Sequence, residues 1–138
     1  MVRLLVLDQC RILPLRVGRE VPPGVEIVAT TSVREAERLI RFDPPDAAVV
    51  SLTPASVDWP AFQRLCARHQ PPIPVLYESC VHSAAAEIGL EAGDGYAAFL
   101  PKPSPAGELR LALVRLLEEA EQSRGPSAGG ALRAELRW

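Results

Sequence analysis

Several familiar signatures are missing from this 138-residue sequence, and each absence removes a class of function. There is no basic excess: 15 Lys and Arg stand against 17 Asp and Glu, giving a net charge of −2 at pH 7 and a pI near 5.7. Nucleic-acid binding through an overall positive field is thereby disfavoured, and no nucleic-acid partner is expected. Long apolar runs are lacking too. The opening MVRLLVLDQC is interrupted at Asp8, too soon for a membrane span or the hydrophobic stretch of a signal peptide. A cytoplasmic protein without a membrane partner is expected. The three cysteines, Cys10, Cys66 and Cys80, are odd in number and widely spaced, with no C-x-x-C pair. They suggest reduced thiols, with neither a disulfide framework nor a zinc site, and no metal or other cofactor is expected. Cys66 and His69 lie three apart on a presumptive helix but have no second pair nearby, and His82 has no evident partner. No G-x-S-x-G elbow, Walker loop or dinucleotide glycine fingerprint occurs, so nothing marks a hydrolase, a nucleotidase or a dehydrogenase.

What is present is alternation. Apolar runs of strand length fall at 3–7, 25–30, 47–50, 73–77 and 96–100, and several are apolar throughout, as strands covered on both faces must be. Stretches of helical period separate them. In TSVREAERLIRF, Ser32 and Glu35 have the spacing of a capping box, and Val33, Ala36, Leu39 and Ile40 share one face. A helix starting near Asp58 places Phe62, Leu65 and Cys66 inward before Gln70-Pro71-Pro72 stops it. Trp59, beside Pro60, reads as an exposed aromatic or as packing at that helix start. A weaker, alanine-rich helix is expected over residues 83–92. The last helix begins at Ser104-Pro105, a cap followed by proline, with Leu109, Ala112, Leu113, Leu116 and Leu117 as its core stripe.

The first crossover is the weak unit. Pro14 sits inside the only window for a helix there, and Gly18 and Pro22-Pro23 close it, so a short or irregular helix is expected. After Glu121 the composition shifts to SRGPSAGG and then ALRAELRW. The reading is one domain over residues 1–121, followed over 122–138 by a flexible linker and a short amphipathic tail in which Leu132, Leu136 and Trp138 line one face. Such a segment is either a loose end or a docking peptide.

Five strands in βα alternation within this length favour an α/β fold. The expected architecture is a flavodoxin-like doubly wound five-stranded parallel sheet, order 2-1-3-4-5, in three α/β/α layers. Ligands of such sheets bind beyond the carboxyl ends of the strands. Those ends carry Asp8 and Gln9, Ser51, Ser79 and Lys102, so one polar cluster gathers from four segments. Asp46 falls at the opposite edge, five extended residues away.

In order and separation, LLVLDQ, PDAAVVSL, PVLYES and FLPKP resemble the receiver domain of two-component response regulators over roughly residues 1–120. The resemblance implies Asp8 as the first acid of the turn, Ser79 as the hydroxyl switch, Phe99 as the aromatic switch and Lys102 as the phosphate-sensing lysine. Two positions depart from it. A receiver needs a carboxylate nucleophile where this chain has Ser51, and a second acid where it has Gln9, to hold Mg²⁺ and accept a phosphoryl group. The pocket is therefore expected to be degenerate, metal-free and closed, with Asp8 and Lys102 as a neutralising pair.

The expected function rests on that departure. The leading expectation is a non-enzymatic pseudo-receiver that binds a protein partner without phosphorylation. It would do so through the face of the fourth helix, fifth strand and last helix, where Ala85 and Ala86 would be exposed and could also support a homodimer. A sensor of a small anion or nucleotide in the strand-end crevice is the alternative. A Ser51–Lys102 hydrolase is more remote, because that chemistry needs a neutral lysine and Asp8 favours a charged one.

Overall fold

The computed structural model describes residues 2–52, 58–79, 95–102 and 104–124. Its strands are β1 (Val2–Leu7), β2 (Val25–Thr30), β3 (Ala47–Ser51), β4 (Val75–Ser79) and β5 (Ala97–Pro101). They pair in parallel in the order β2-β1-β3-β4-β5, the order expected from the sequence. The described helices are α1 (Leu13–Glu20), α2 (Val33–Phe42), α3 (Trp59–Arg68) and α4 (Ala106–Arg124). The helix expected over 83–92, with Ala85 and Ala86, lies outside the described residues, as do Leu132, Leu136 and Trp138.

Strand periodicity divides the apolar side chains between two cores. Leu5, Leu7, Ala48, Val50 and Tyr77 face α2 and α3, meeting Ala36, Ile40, Phe62 and Cys66. Leu4, Val6, Ala47, Val49 and Leu76 face α1 and α4, meeting Leu13, Val17, Leu109, Leu113 and Leu116. Burial on both faces is why β1 and β3 read as unbroken apolar runs.

Local chemistry explains where the elements begin. Pro14 does not break α1, because it occupies the first turn, where an amide would have no helical partner. The helix is short, at eight residues, and regular. Ser32 Oγ accepts from Glu35 N at 3.2 Å, but Ser32 N donates to Thr30 Oγ1 and not to Glu35, so only half of the capping box forms. Asp58 caps α3 by accepting from Ala61 N at 3.0 Å.

Of the two readings of Trp59, packing at the helix start holds: it is 9% exposed and lies edge-on against Phe62 and Tyr77, since the helix start turns its ring into the core. Two expectations need correction. Ser104 does not cap the last helix. Its hydroxyl is engaged with Arg16 and Glu78, and the Pro105 carbonyl accepts the first helical amides, from Glu108 and Leu109. The fourth strand lies two residues later than its apolar run, starting at Val75 and continuing through Glu78 to Ser79. At the entry to β5, Gly95 has φ +79°, and a Cβ there would come within 2.9 Å of Ala67, so glycine meets both the backbone and the space requirement.

Candidate functional site

The strand-end cluster is assembled by register. Ser51 ends β3 opposite Glu78 of β4, and Ser79 pairs with Pro101, one residue before Lys102. The backbone closes the edge: Leu52 N donates to Glu78 O at 2.9 Å, and Lys102 N donates to Ser79 O at 2.9 Å. Ser51 and Ser79 are 3% and 5% exposed, so both hydroxyls are interior groups. Lys102 reaches back across the edge and its Nζ donates to Ser51 Oγ.

Asp8 is 5% exposed, and its carboxylate is already occupied. Oδ1 accepts from Cys10 N at 3.0 Å, while Oδ2 accepts from Ile12 N at 3.0 Å and Leu13 N at 2.7 Å. The carboxylate thus serves the turn after β1 and the first amides of α1. Burial by itself would raise its pKa. The three amides and the nearby Lys102 charge outweigh burial and hold the carboxyl below its ordinary value.

The expected Asp8–Lys102 neutralising pair does not form: among the described residues these two share no ion pair, and Lys102 is bonded to Ser51 instead. Asp8 spends its oxygens on three backbone amides, and the Lys102 charge acts on it without a direct contact. Gln9, next to Asp8, is exposed in the turn after β1. Phe99 turns inward, half-buried, and stacks on Tyr77 with ring centroids 5.3 Å apart and planes 16° from parallel. Tyr77 in turn donates its hydroxyl to Gln63 Oε1 at 2.6 Å. An open cavity of about 490 Å³ lies beside the cluster, lined by Asp8, Arg11, Pro14, Leu15, Ala29, Thr30 and Thr31. The cation in its wall is Arg11, not Lys102, so the lysine that the anion-sensor alternative relied on does not face this space.

The donor set does not suit Mg²⁺, which prefers carboxylate oxygens and dehydrates reluctantly. Of the residues at the strand ends, Asp8 alone supplies a carboxylate to the pocket, and both its oxygens hold backbone amides. The Ser51 oxygen faces an ammonium. No group of three or more His, Cys, Asp or Glu that could hold a metal occurs among the described residues.

Sequence reasoning missed a second cluster one strand away. Glu78 is 2% exposed on the α1/α4 side of β4. Arg16 Nη1 donates to both Glu78 oxygens at 2.9 Å, and Nη2 donates to Ser104 O at 3.2 Å and Ser104 Oγ at 3.1 Å. Ser104 Oγ closes the network by donating to Glu78 Oε2 at 3.2 Å. The network ties α1 and β4 to the loop that carries Lys102. One signal was available: Arg16 lies three residues after Leu13, on the inward stripe of α1.

Asp46 lies at the opposite edge, as expected. It accepts from Arg3 N at 2.8 Å and Arg124 Nη1 at 3.1 Å. No helix among the described residues is long and apolar enough to cross a membrane.

No family model matches this sequence, and no curated protein matches it. Solved structures are similar in shape. The Francisella response regulator 1452 receiver domain matches with a TM-score of 0.62 and 19% identity, over 89% of this chain and 99% of its own. A two component transcriptional regulator AraC from Clostridium phytofermentans matches with a TM-score of 0.73 and 12% identity, over 91% of this chain and all of its own (100%). A LuxR-family two-component response regulator from Aurantimonas matches at 0.65 and 22% identity, over 99% and 95%. At these identities the likeness is one of architecture: five parallel strands in the order 2-1-3-4-5, helices on both faces and the polar cluster at the strand ends make this the receiver fold of two-component response regulators.

Proposed function

We propose that this chain is a degenerate receiver, a non-enzymatic signalling module of the cytoplasm that acts by contact with a protein partner and without phosphorylation. The observation that carries the reading is the Lys102–Ser51 hydrogen bond beside an Asp8 whose two oxygens accept three backbone amides. In the receiver resemblance the lysine answers a phosphoryl group on the residue at position 51. Here that residue is a hydroxyl, and the lysine is bound to it directly. The pocket is held in one arrangement by its own contacts, leaving no phosphate-dependent change to transmit.

The lysine also opposes a hydrolase. A Ser-Lys nucleophile requires the amine to take the hydroxyl proton. An ammonium, the usual form of a lysine side chain, has no lone pair with which to take that proton. The candidate contact residues Ala85, Ala86, Leu132, Leu136 and Trp138 lie outside the described residues and belong to this proposal as expectations from sequence.

Incubation of the full chain with acetyl phosphate and Mg²⁺, followed by intact-mass spectrometry, tests the reading. No phosphoryl adduct is expected. A stoichiometric adduct, mapped to Ser51 and lost in Ser51→Ala, would refute it.

A further inference from the structure

The edge of the sheet opposite the candidate site carries a second concavity. It is a groove of about 420 Å³ whose wall includes Pro44, Pro45, His69, Pro71, Pro72 and Arg124. Ile73 and Ala120 contribute apolar floor, and Asp46 sits beside Arg124. Pro44, Pro71 and Pro72 are exposed, and Phe42, two residues before Pro44, is 81% exposed, the highest value among the exposed large hydrophobic residues described. An apolar rim of this kind marks an interaction surface. Arg124 adds a polar requirement: its Nε is buried without a hydrogen-bond partner, so a seated acceptor would satisfy it.

Chain connectivity selects the occupant. Arg124 is both the last residue of α4 and part of the groove wall, so residues 125–138 depart from the groove itself. The first six, GPSAGG, extend at most ~20 Å at roughly 3.3–3.6 Å per residue, which keeps the final eight within reach. Those eight read ALRAELRW, with Leu132 and Leu136 one helical turn apart and Trp138 beyond. A tether this short gives an effective concentration on the order of millimolar, so weak docking suffices. Two helical turns are marginal alone and gain order on an apolar surface.

We propose that residues 131–138 fold back onto this groove, placing Leu132, Leu136 and Trp138 on the proline-lined rim and a main-chain carbonyl on Arg124 Nε. The docked segment covers the same apolar residues that the sequence offers to a partner, so a partner must compete for them. The groove lies at the end of the strands opposite Lys102, and the inference stands or falls apart from the degenerate-receiver reading.

The test uses the full chain with Trp59→Phe, which leaves Trp138 as the single indole. Trp138 emission is expected to be blue-shifted and poorly quenched by acrylamide, independent of protein concentration. Pro44→Glu or Pro72→Glu should return it to the emission of the urea-unfolded chain. Hydrogen exchange on the unsubstituted chain checks the same point without Trp59→Phe, and amides of residues 131–138 should exchange several-fold more slowly than in the Pro72→Glu variant. Fully exposed Trp138 in the parent, or shielding unaffected by both groove substitutions, would overturn the proposal. Shielding that grows with protein concentration would replace the intramolecular contact with one between two copies, and would overturn it as well.

Discussion

Two polar clusters share the carboxyl edge of this sheet and handle charge in opposite ways. In the first, Asp8, Ser51 and Lys102 hold one carboxylate and one ammonium without an ion pair, each engaged by a neutral partner. In the second, Arg16 and Glu78 meet in a two-point ion pair, buried on the Glu78 side and reinforced by Ser104. The first occupies the place where a receiver would gather acids around a metal. The second sits one strand away and fastens the loop that bears the lysine. Fixed protein contacts thus organise the edge of the sheet where the resemblance would place a metal and a phosphoryl group.

The largest effect should come from breaking the second cluster. Arg16→Ala leaves the Glu78 carboxylate buried without its cation, which should cost about 3 kcal/mol of stability in urea unfolding. The double variant Arg16→Leu with Glu78→Leu removes both charges and should be clearly more stable than Arg16→Ala. If Arg16→Ala unfolds at the parental urea concentration, the pair is a surface contact and the contrast between the clusters disappears.

In the first cluster, Asp8→Asn should cost about 1–2 kcal/mol, since an amide replaces a carboxylate that accepts from three backbone amides. Its pH dependence has a definite sign. The folded pKa of Asp8 lies below the ordinary 3.8, so its stabilisation is complete above that value and is lost as pH falls through the folded pKa. Asp8→Asn should therefore flatten the acid limb of the stability curve and leave the alkaline limb unchanged. A parallel shift of the whole curve would show that the carboxylate charge is not what α1 uses.

Tyr77→Phe probes the core between the clusters and should cost roughly 1–2 kcal/mol, because Gln63 Oε1 loses the hydroxyl it accepts from at 2.6 Å. The smallest effect is chemical. Burial pushes the Cys66 thiol up to about 12, while Cys10 is exposed. Native-state alkylation at neutral pH should therefore modify Cys10 and leave Cys66 unmodified, as peptide mapping would show.

The contrast between the clusters also explains what can be read from sequence. The sheet is legible because β1 and β3 are buried on both faces, and such burial writes itself as apolar runs. Ser51, Ser79 and Lys102 are legible as strand-end groups because strand order alone brings those ends together. The direction of Lys102 is not, because strand order does not say whether it reaches Asp8 or Ser51. The apolar run sets the fourth strand two residues early, because Ile73 extends the run at one end and the charge of Glu78 cuts it at the other. Glu78 sits buried in the strand with Arg16, 62 residues away, as its counter-charge. A pairing at that separation leaves no periodic trace. Pro14 is ambiguous for a local reason, since the same residue breaks a helix in its interior and opens one in its first turn.

On the proposed reading the Asp8–Ser51–Lys102 pocket takes up no Mg²⁺, and the melting temperature with and without millimolar Mg²⁺ reads this out. The parent and the single variants Ser51→Asp and Gln9→Asp should show no Mg²⁺-dependent rise, the Ser51→Asp carboxylate being neutralised by Lys102. Gln9→Asp with Ser51→Asp crowds three carboxylates at the strand ends and should melt lower without the ion, recovering part of the loss when Mg²⁺ binds. A clear Mg²⁺-dependent rise in the parent chain would contradict the account.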